Sequence, residues 1–145
     1  MSVDDDQRGD GGDTATSTAV DAGHSLEILI VEDDESVADL IAFKFETQGY
    51  ATRAFDNGAD ALAHLEDAEA LPSAIVLDLV MPGLDGMAVL ERIADSTRLS
   101  AIPVIVLTGR QDDDVVTRAF ELGADDYVTK PFSPAALATR VTRFC

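Results

Sequence analysis

Ala74-Ile75-Val76-Leu77-Asp78-Leu79-Val80-Met81-Pro82-Gly83 is a short apolar run that closes on an aspartate and breaks at Pro-Gly. A run of this length, bounded by a breaker, reads as a strand buried on both faces. A second run, Ile28-Leu29-Ile30-Val31, ends in Glu32-Asp33-Asp34. If both are parallel strands of one sheet, their acidic ends meet at its carboxyl edge, where open α/β sheets bind ligands. Like charges held that close repel, so the cluster needs a cation or displaced pKa values. Mg²⁺, a hard ion that takes oxygen ligands and keeps some of its waters, suits such a site.

Strand and helix signals alternate along the rest of the chain. Leu26–Val31 is the first strand, and Glu35–Gln48 follows with Val37, Leu40, Ile41 and Phe45 at helical spacing, closing at Gly49. Tyr50–Phe55 is a weaker, edge-type strand, and Asn57 caps a helix through Glu66. After the third strand, Ala74–Asp78, a helix is expected over Asp85–Ala94. Ile102–Thr108 is a fourth, buried-type strand with Pro103 at its start. Asp112–Leu122 reads as a helix stopped by Gly123, and Asp126–Thr129 as a fifth strand. Pro131 and Pro134 open a last helix that reaches the C-terminus. Five strands alternating with five helices predict a parallel sheet covered on both faces, in the doubly wound, flavodoxin-like order 2-1-3-4-5.

The 145 residues suffice for one domain. Residues 1–25 are rich in Asp, Gly, Thr and Ser without a sustained apolar pattern, and are expected to form a disordered acidic tail before a domain over 26–145. The formal charge of −18 repels nucleic acid and anionic membranes. Lysine occurs only at 44 and 130 while Asp abounds, a bias expected of a halophilic or high-GC source. The single cysteine, Cys145, excludes a disulfide framework and fits a reducing cytoplasm. No apolar stretch approaches the ~18 residues of a membrane span.

In this arrangement four strand ends converge: Glu32 and Asp33 from the first, Asp78 from the third, Thr108 from the fourth and Lys130 from the fifth. The acidic groups can hold Mg²⁺ together with water and a backbone carbonyl. Asp78 can then attack phosphorus as a carboxylate nucleophile, giving an aspartyl phosphate. Lys130 can pair with the phosphoryl oxygens as a point charge, and Thr108 can donate its hydroxyl to them. Asp34 reads as a helix cap, and Asp112-Asp113-Asp114 as charge complementing a helix dipole. His24 and His64 are isolated and expected to face solvent.

Four motifs carry a family resemblance: Ile28-Leu29-Ile30-Val31-Glu32-Asp33-Asp34; Leu77-Asp78-Leu79-Val80-Met81-Pro82-Gly83-Leu84-Asp85-Gly86; Val104-Ile105-Val106-Leu107-Thr108-Gly109; and Gly123-Ala124-Asp125-Asp126-Tyr127-Val128-Thr129-Lys130-Pro131-Phe132. Together, over roughly residues 26–144, they resemble the receiver domain of response regulators. The resemblance implies that Asp78 is the phospho-acceptor, that Glu32 and Asp33 bind Mg²⁺ with Asp78 and the backbone carbonyl of Val80, and that Thr108 and Lys130 contact phosphate. It implies that Tyr127 is an aromatic switch drawn inward with Thr108, and that the bond before Pro131 is often cis. It further implies a sensor histidine kinase as donor and a signalling switch rather than an enzyme. The last helix resembles that of regulators with winged-helix output domains, which often dimerise through the fourth helix, fifth strand and fifth helix. Asp126 and Arg140 match one intersubunit ion pair of that face. Val116 and Ala136 stand where charged residues are usual, so a monomer or weak dimer is expected. The chain stops where a linker would begin, so its effect is expected to pass through an unknown protein partner.

Two other classes share parts of this pattern. Aspartate-nucleophile phosphatases resemble Asp-x-Asp after the first strand, whereas Asp78 follows the third and precedes Leu79-Val80. A flavin carrier would need a Ser/Thr/Gly phosphate loop where Glu32-Asp33-Asp34 stands. A phosphorylation-independent interaction domain is a third alternative.

Overall fold

The computed structural model describes residues 26–79, 86–109 and 113–145. Strands and helices alternate throughout: β1 (Glu27–Val31), α1 (Glu35–Thr47), β2 (Ala51–Phe55), α2 (Gly58–Asp67), β3 (Ala74–Asp78), α3 (Gly86–Ala94), β4 (Val104–Thr108), α4 (Asp113–Glu121), β5 (Asp126–Thr129) and α5 (Pro134–Thr142). The sheet is parallel throughout, in the expected order β2-β1-β3-β4-β5. The proposed tail, residues 1–25, and the helix start at Asp85 lie outside the described residues.

Side-chain alternation along the strands divides the core in two. Leu29, Val31, Ile75, Leu77, Val104 and Val106 face one way and pack under α2, α3 and α4, through residues such as Leu62, Leu65, Leu90, Ile93 and Ala119. Ile28, Ile30, Val76, Ile105 and Leu107 face the other way, against Ile41 and Phe45 of α1 and Leu137 and Val141 of α5. Helices on both faces explain why β3 and β4 are apolar at successive positions rather than alternating: every residue of both strands is buried. β2 lies at the edge and keeps three of its five residues exposed, so its apolar signal is weak.

Local chemistry sets most boundaries. Asp34 caps α1, its carboxylate accepting from the backbone N–H of Ser36 (3.0 Å) and Val37 (3.3 Å). Asn57 and Ser133 cap α2 and α5 in the same way. Gly123 adopts φ 108°, a left-handed conformation that ends α4 with no Cβ penalty. The fourth strand begins at Val104, two residues later than expected. Pro103 accepts from Ile75 through its carbonyl (2.9 Å) but has no N–H to pair. Pro131 does not open the last helix. It follows a cis Lys130–Pro131 bond in the preceding loop, and α5 starts at Pro134. His64 is half-buried rather than solvent-facing, because its ring packs on Phe55 with centroids 5.3 Å apart. No helix among the described residues is long and apolar enough to cross a membrane.

Gly86 fixes how closely α3 approaches the end of β3. Its N–H donates to the Leu79 carbonyl (3.1 Å), and a Cβ there would collide with the backbone of Asp78 and Leu79. Gly86→Ala is therefore expected to lower unfolding stability by about 1–3 kcal/mol, the usual cost of overpacking. Urea denaturation measures this; wild-type stability in the variant would show that the approach is not tight.

Candidate functional site

Because the strands are parallel, their carboxyl ends share one edge. Asp78 is the last residue of β3 and Thr108 the last of β4, while Glu32 and Lys130 directly follow β1 and β5. The register sets Val31 beside Leu77, Asp78 beside Leu107, and Thr108 beside Thr129. Backbone bonds extend the pairing past the strands, from Leu79 N–H to the Leu107 carbonyl (3.0 Å) and from Lys130 N–H to the Thr108 carbonyl (2.7 Å). The sheet itself thus brings together Glu32, Asp33, Asp78, Thr108 and Lys130, as expected. Val80 lies outside the described residues.

Burial distinguishes this edge from the rest of an acidic surface. Among the described residues the buried polar or charged side chains are Glu32 (2% exposed), Asp78 (3%) and Thr108 (3%). Buried carboxylates are unfavourable unless paired. The Lys130 ammonium stands 2.9 Å from Glu32 Oε1 and 3.1 Å from Asp78 Oδ2, bridging the two. The contact to Asp78 is a hydrogen bond, whereas Glu32 Oε1 has no aligned hydrogen-bond donor despite the short ion pair. The other Glu32 oxygen, Oε2, accepts from Asp34 N–H (3.1 Å). Among the described residues the Lys130 ammonium pairs with two of three clustered carboxylates, those of Glu32, Asp33 and Asp78, each of which offers an oxygen within 4.8 Å of the others.

The electrostatics follow from this imbalance. Burial, helped by the negative charge of Asp78, pushes the Glu32 carboxyl up to about 7, against the opposing pull of Lys130 and the Asp34 N–H. For Lys130, burial disfavours the charge, but the close Glu32 and Asp78 carboxylates outweigh it, so its pKa is raised and it stays an ammonium. A buried carboxylate oxygen without an aligned donor, in a group of three clustered carboxylates, fits a hard divalent cation such as Mg²⁺. Glu35, Asp39 and Asp56 join Glu32 and Asp33 in lining an adjacent cleft of about 560 Å³, which adds to the negative field.

Tyr127 is half-buried on β5, in register with Val106, and shares the sheet face on which Thr108 lies. Its ring meets Phe120 of α4 edge-on, with centroids 6.0 Å apart and planes at 84°. Asp126 and Arg140, expected to pair between subunits, instead pair within one chain, Arg140 Nη1 reaching both carboxylate oxygens at 3.0 and 3.1 Å. A residue of β5 and one two turns into α5 lie close enough to satisfy each other, so the pair needs no second copy. Asp113 and Asp114 sit in the first turn of α4, as expected of charges complementing its dipole. Gly86 and Phe120 escaped sequence reasoning as site residues. The clash a Cβ would meet at Gly86, and the ring that Phe120 touches, are visible only once the chain is folded.

The raised Glu32 pKa carries a sign. The unfolded carboxyl titrates near 4.5 and the folded one near 7. Between these values the folded state holds a proton that the unfolded state has lost, so ion-free stability falls as pH rises through this window and stays low above it. In chelator, the thermal midpoint is expected to fall more steeply between pH 5 and 8 for wild type than for Glu32→Gln. Added Mg²⁺ should recover more at pH 8 than at pH 5. Parallel pH profiles for the two proteins would contradict the assignment.

The comparisons with known proteins agree with this geometry. Residues 28–142 match the response regulator receiver domain family. The sensory transduction protein RegX3 of Mycolicibacterium smegmatis is 40% identical over 114 residues, which is 79% of this chain and 48% of that protein. The signal receiver domain of a signal transduction histidine kinase from Syntrophus aciditrophicus superposes with a TM-score of 0.74 at 39% identity, covering 81% of this chain and 88% of that one. A Francisella response regulator receiver domain gives 0.73 at 33% identity over 81% and 94%. The chain spans about half the length of the curated relatives it matches. A match across nearly the whole described structure, to proteins of the same architecture, shows that this chain belongs to the response regulator receiver domain family of two-component systems.

Proposed function

We propose that Asp78 accepts a phosphoryl group from the phosphohistidine of a sensor kinase, and that the resulting aspartyl phosphate switches the α4-β5-α5 face for a protein partner. The observation that carries this reading is the buried Asp78 carboxylate, held 3.1 Å from the Lys130 ammonium beside a Glu32 oxygen that lacks an aligned donor. A carboxylate so placed is desolvated and oriented, both of which favour attack.

An Asp78 oxygen forms the new P–O bond as the P–N bond to the donor imidazole breaks, and the released electron pair returns to that ring nitrogen. Lys130, already between Asp78 and Glu32, pairs with the phosphoryl oxygens as charge develops on them. Glu32, Asp33 and Asp78 would hold Mg²⁺, for which the resemblance also implies the backbone carbonyl of Val80, and the ion would supply positive charge that offsets the charge developing on the phosphoryl group. The Thr108 hydroxyl donates to the phosphoryl group, and Tyr127 follows it inward. The face that then changes carries the Asp126–Arg140 pair, which is satisfied within the chain and therefore does not by itself favour a dimer. Such an exposed pair contributes little in any case, and a monomer or weak dimer is the expected state.

The net charge of −18 opposes direct DNA contact by these residues, so the partner is a protein. The setting is the cytoplasm, in keeping with the single free cysteine. The domain assists its own phosphorylation and dephosphorylation but acts as a switch.

³¹P NMR after incubation with acetyl phosphate and Mg²⁺ tests the reading. An acyl phosphate resonance is expected for wild type and should vanish with Asp78→Asn or chelator. A resonance that survives in Asp78→Asn would move the acceptor elsewhere. Turnover of phosphate monoesters is expected to be negligible; sustained turnover would favour a phosphatase. Lys130→Met should slow phosphorylation by about 10²-fold or more, as loss of one charge-stabilising donor does elsewhere. Because the competing ammonium is gone, Mg²⁺ should bind that variant more tightly than wild type. Weaker binding by calorimetry would contradict the charge balance described above.

A further inference from the structure

We infer that Phe120 is a positioning residue of the switch: its edge contact holds the Tyr127 ring against α4, and it loses that contact when Tyr127 turns toward Thr108. This inference deepens the proposed function and rests on it. Phe120 lies in the last turn of α4 and is 43% exposed, so core packing does not account for a large aromatic there. Its ring meets Tyr127 at 6.0 Å and 84°, the T-shaped arrangement in which aromatic pairs attract beyond their buried area. Tyr127 is also packed against the α2-α3-α4 side of the core, on the sheet face it shares with Thr108. Rotation toward Thr108 must therefore exchange the Phe120 contact for one at the strand end.

Two further observations make this contact consequential. α4 is the most weakly anchored helix, burying only Ala119, whereas α1 and α5 each bury three residues and α2 and α3 four. An element with so few buried contacts moves at low cost. Tyr127 also follows Asp126 directly on β5, and its N–H donates to Asp126 Oδ1 (2.8 Å), one of the oxygens that Arg140 reaches. Departure of Tyr127 uncovers more of the Phe120 ring. A change at Asp78 is thereby converted into new apolar surface on the α4-β5-α5 face.

The two tyrosines allow a direct test. With 3-fluorotyrosine incorporated, Tyr127 reports the switch. Tyr50, which packs on Phe45 at the other face, reports the fold. Beryllofluoride with Mg²⁺ serves as the phosphoryl mimic, and its bound fluorides appear in the same ¹⁹F spectrum. In wild type the Tyr127 line is expected to move on titration while Tyr50 stays. In Phe120→Leu, the Tyr127 line should start nearer the bound position, and half-conversion should need about 2- to 10-fold less beryllofluoride, the equivalent of one aromatic pair. Phe120→Tyr, which keeps the edge contact, should restore the wild-type midpoint. An unchanged line and midpoint in Phe120→Leu, with Tyr50 unmoved, overturns the inference. A wild-type Tyr127 that stays still although fluoride is bound overturns it too and leaves the phospho-acceptor intact. Absence of bound fluoride removes both this inference and the phospho-acceptor reading beneath it.

Discussion

Three carboxylates offer oxygens within 4.8 Å of one another, two of them buried, and among the described residues the Lys130 ammonium pairs with those two. Such an arrangement is unfavourable on its own, because like charges repel and burial penalises Glu32 and Asp78. It persists because the parallel sheet delivers the strand ends to one place whatever their charge. The energy for that comes from the apolar strands behind them, β1, β3 and β4, whose side chains fill both layers of the core. Proton uptake by Glu32 and the bridge from Lys130 relieve the strain in part. What remains is a need for positive charge next to the buried Asp78 carboxylate, and that need is the physical basis on which the proposed cation binding and phosphoryl chemistry rest.

The rest of the structure is arranged so that a change at this edge reaches the surface. α1 and α5 are fastened to one face by large buried side chains such as Phe45, Ile41 and Leu137. On the other face α3 is held tight against Asp78 by the absence of a side chain at Gly86. α4, which fully buries only Ala119 and packs Val115 partly against the core, is the most lightly anchored of the helices. Its outer contact, Phe120 on Tyr127, joins the strand-end chemistry to a face that already carries an internally satisfied ion pair. One lightly anchored helix thus stands beside four firmly packed ones, an arrangement suited to the proposed switch.

Much of this was legible in the chain. Apolar runs ending in Glu32, Asp78, Thr108 and Lys130 reveal both the strands and the edge at which they end, because period and polarity are local properties. The strand order and the capping roles of Asp34 and Asn57 follow from the same kind of information. Properties that depend on tertiary distance were not legible. His64 is isolated in sequence, yet its ring packs on Phe55 from a neighbouring element. Asp126 and Arg140 matched an intersubunit pair by position, but nothing local says whether α5 returns close enough to close the pair within one chain. The tight approach at Gly86 and the ring contact of Phe120 depend on the backbone of β3 and the ring of Tyr127, which no local pattern sets beside them.

Anomalous diffraction from crystals soaked in Mn²⁺, a scatterer that substitutes for Mg²⁺ at oxygen sites, tests the central claim most directly. A single strong peak enclosed by Glu32, Asp33 and Asp78, lost in Asp33→Asn, is the result expected if the strand ends create a cation-deficient pocket. An empty pocket alongside peaks at other acidic clusters on the surface would contradict it.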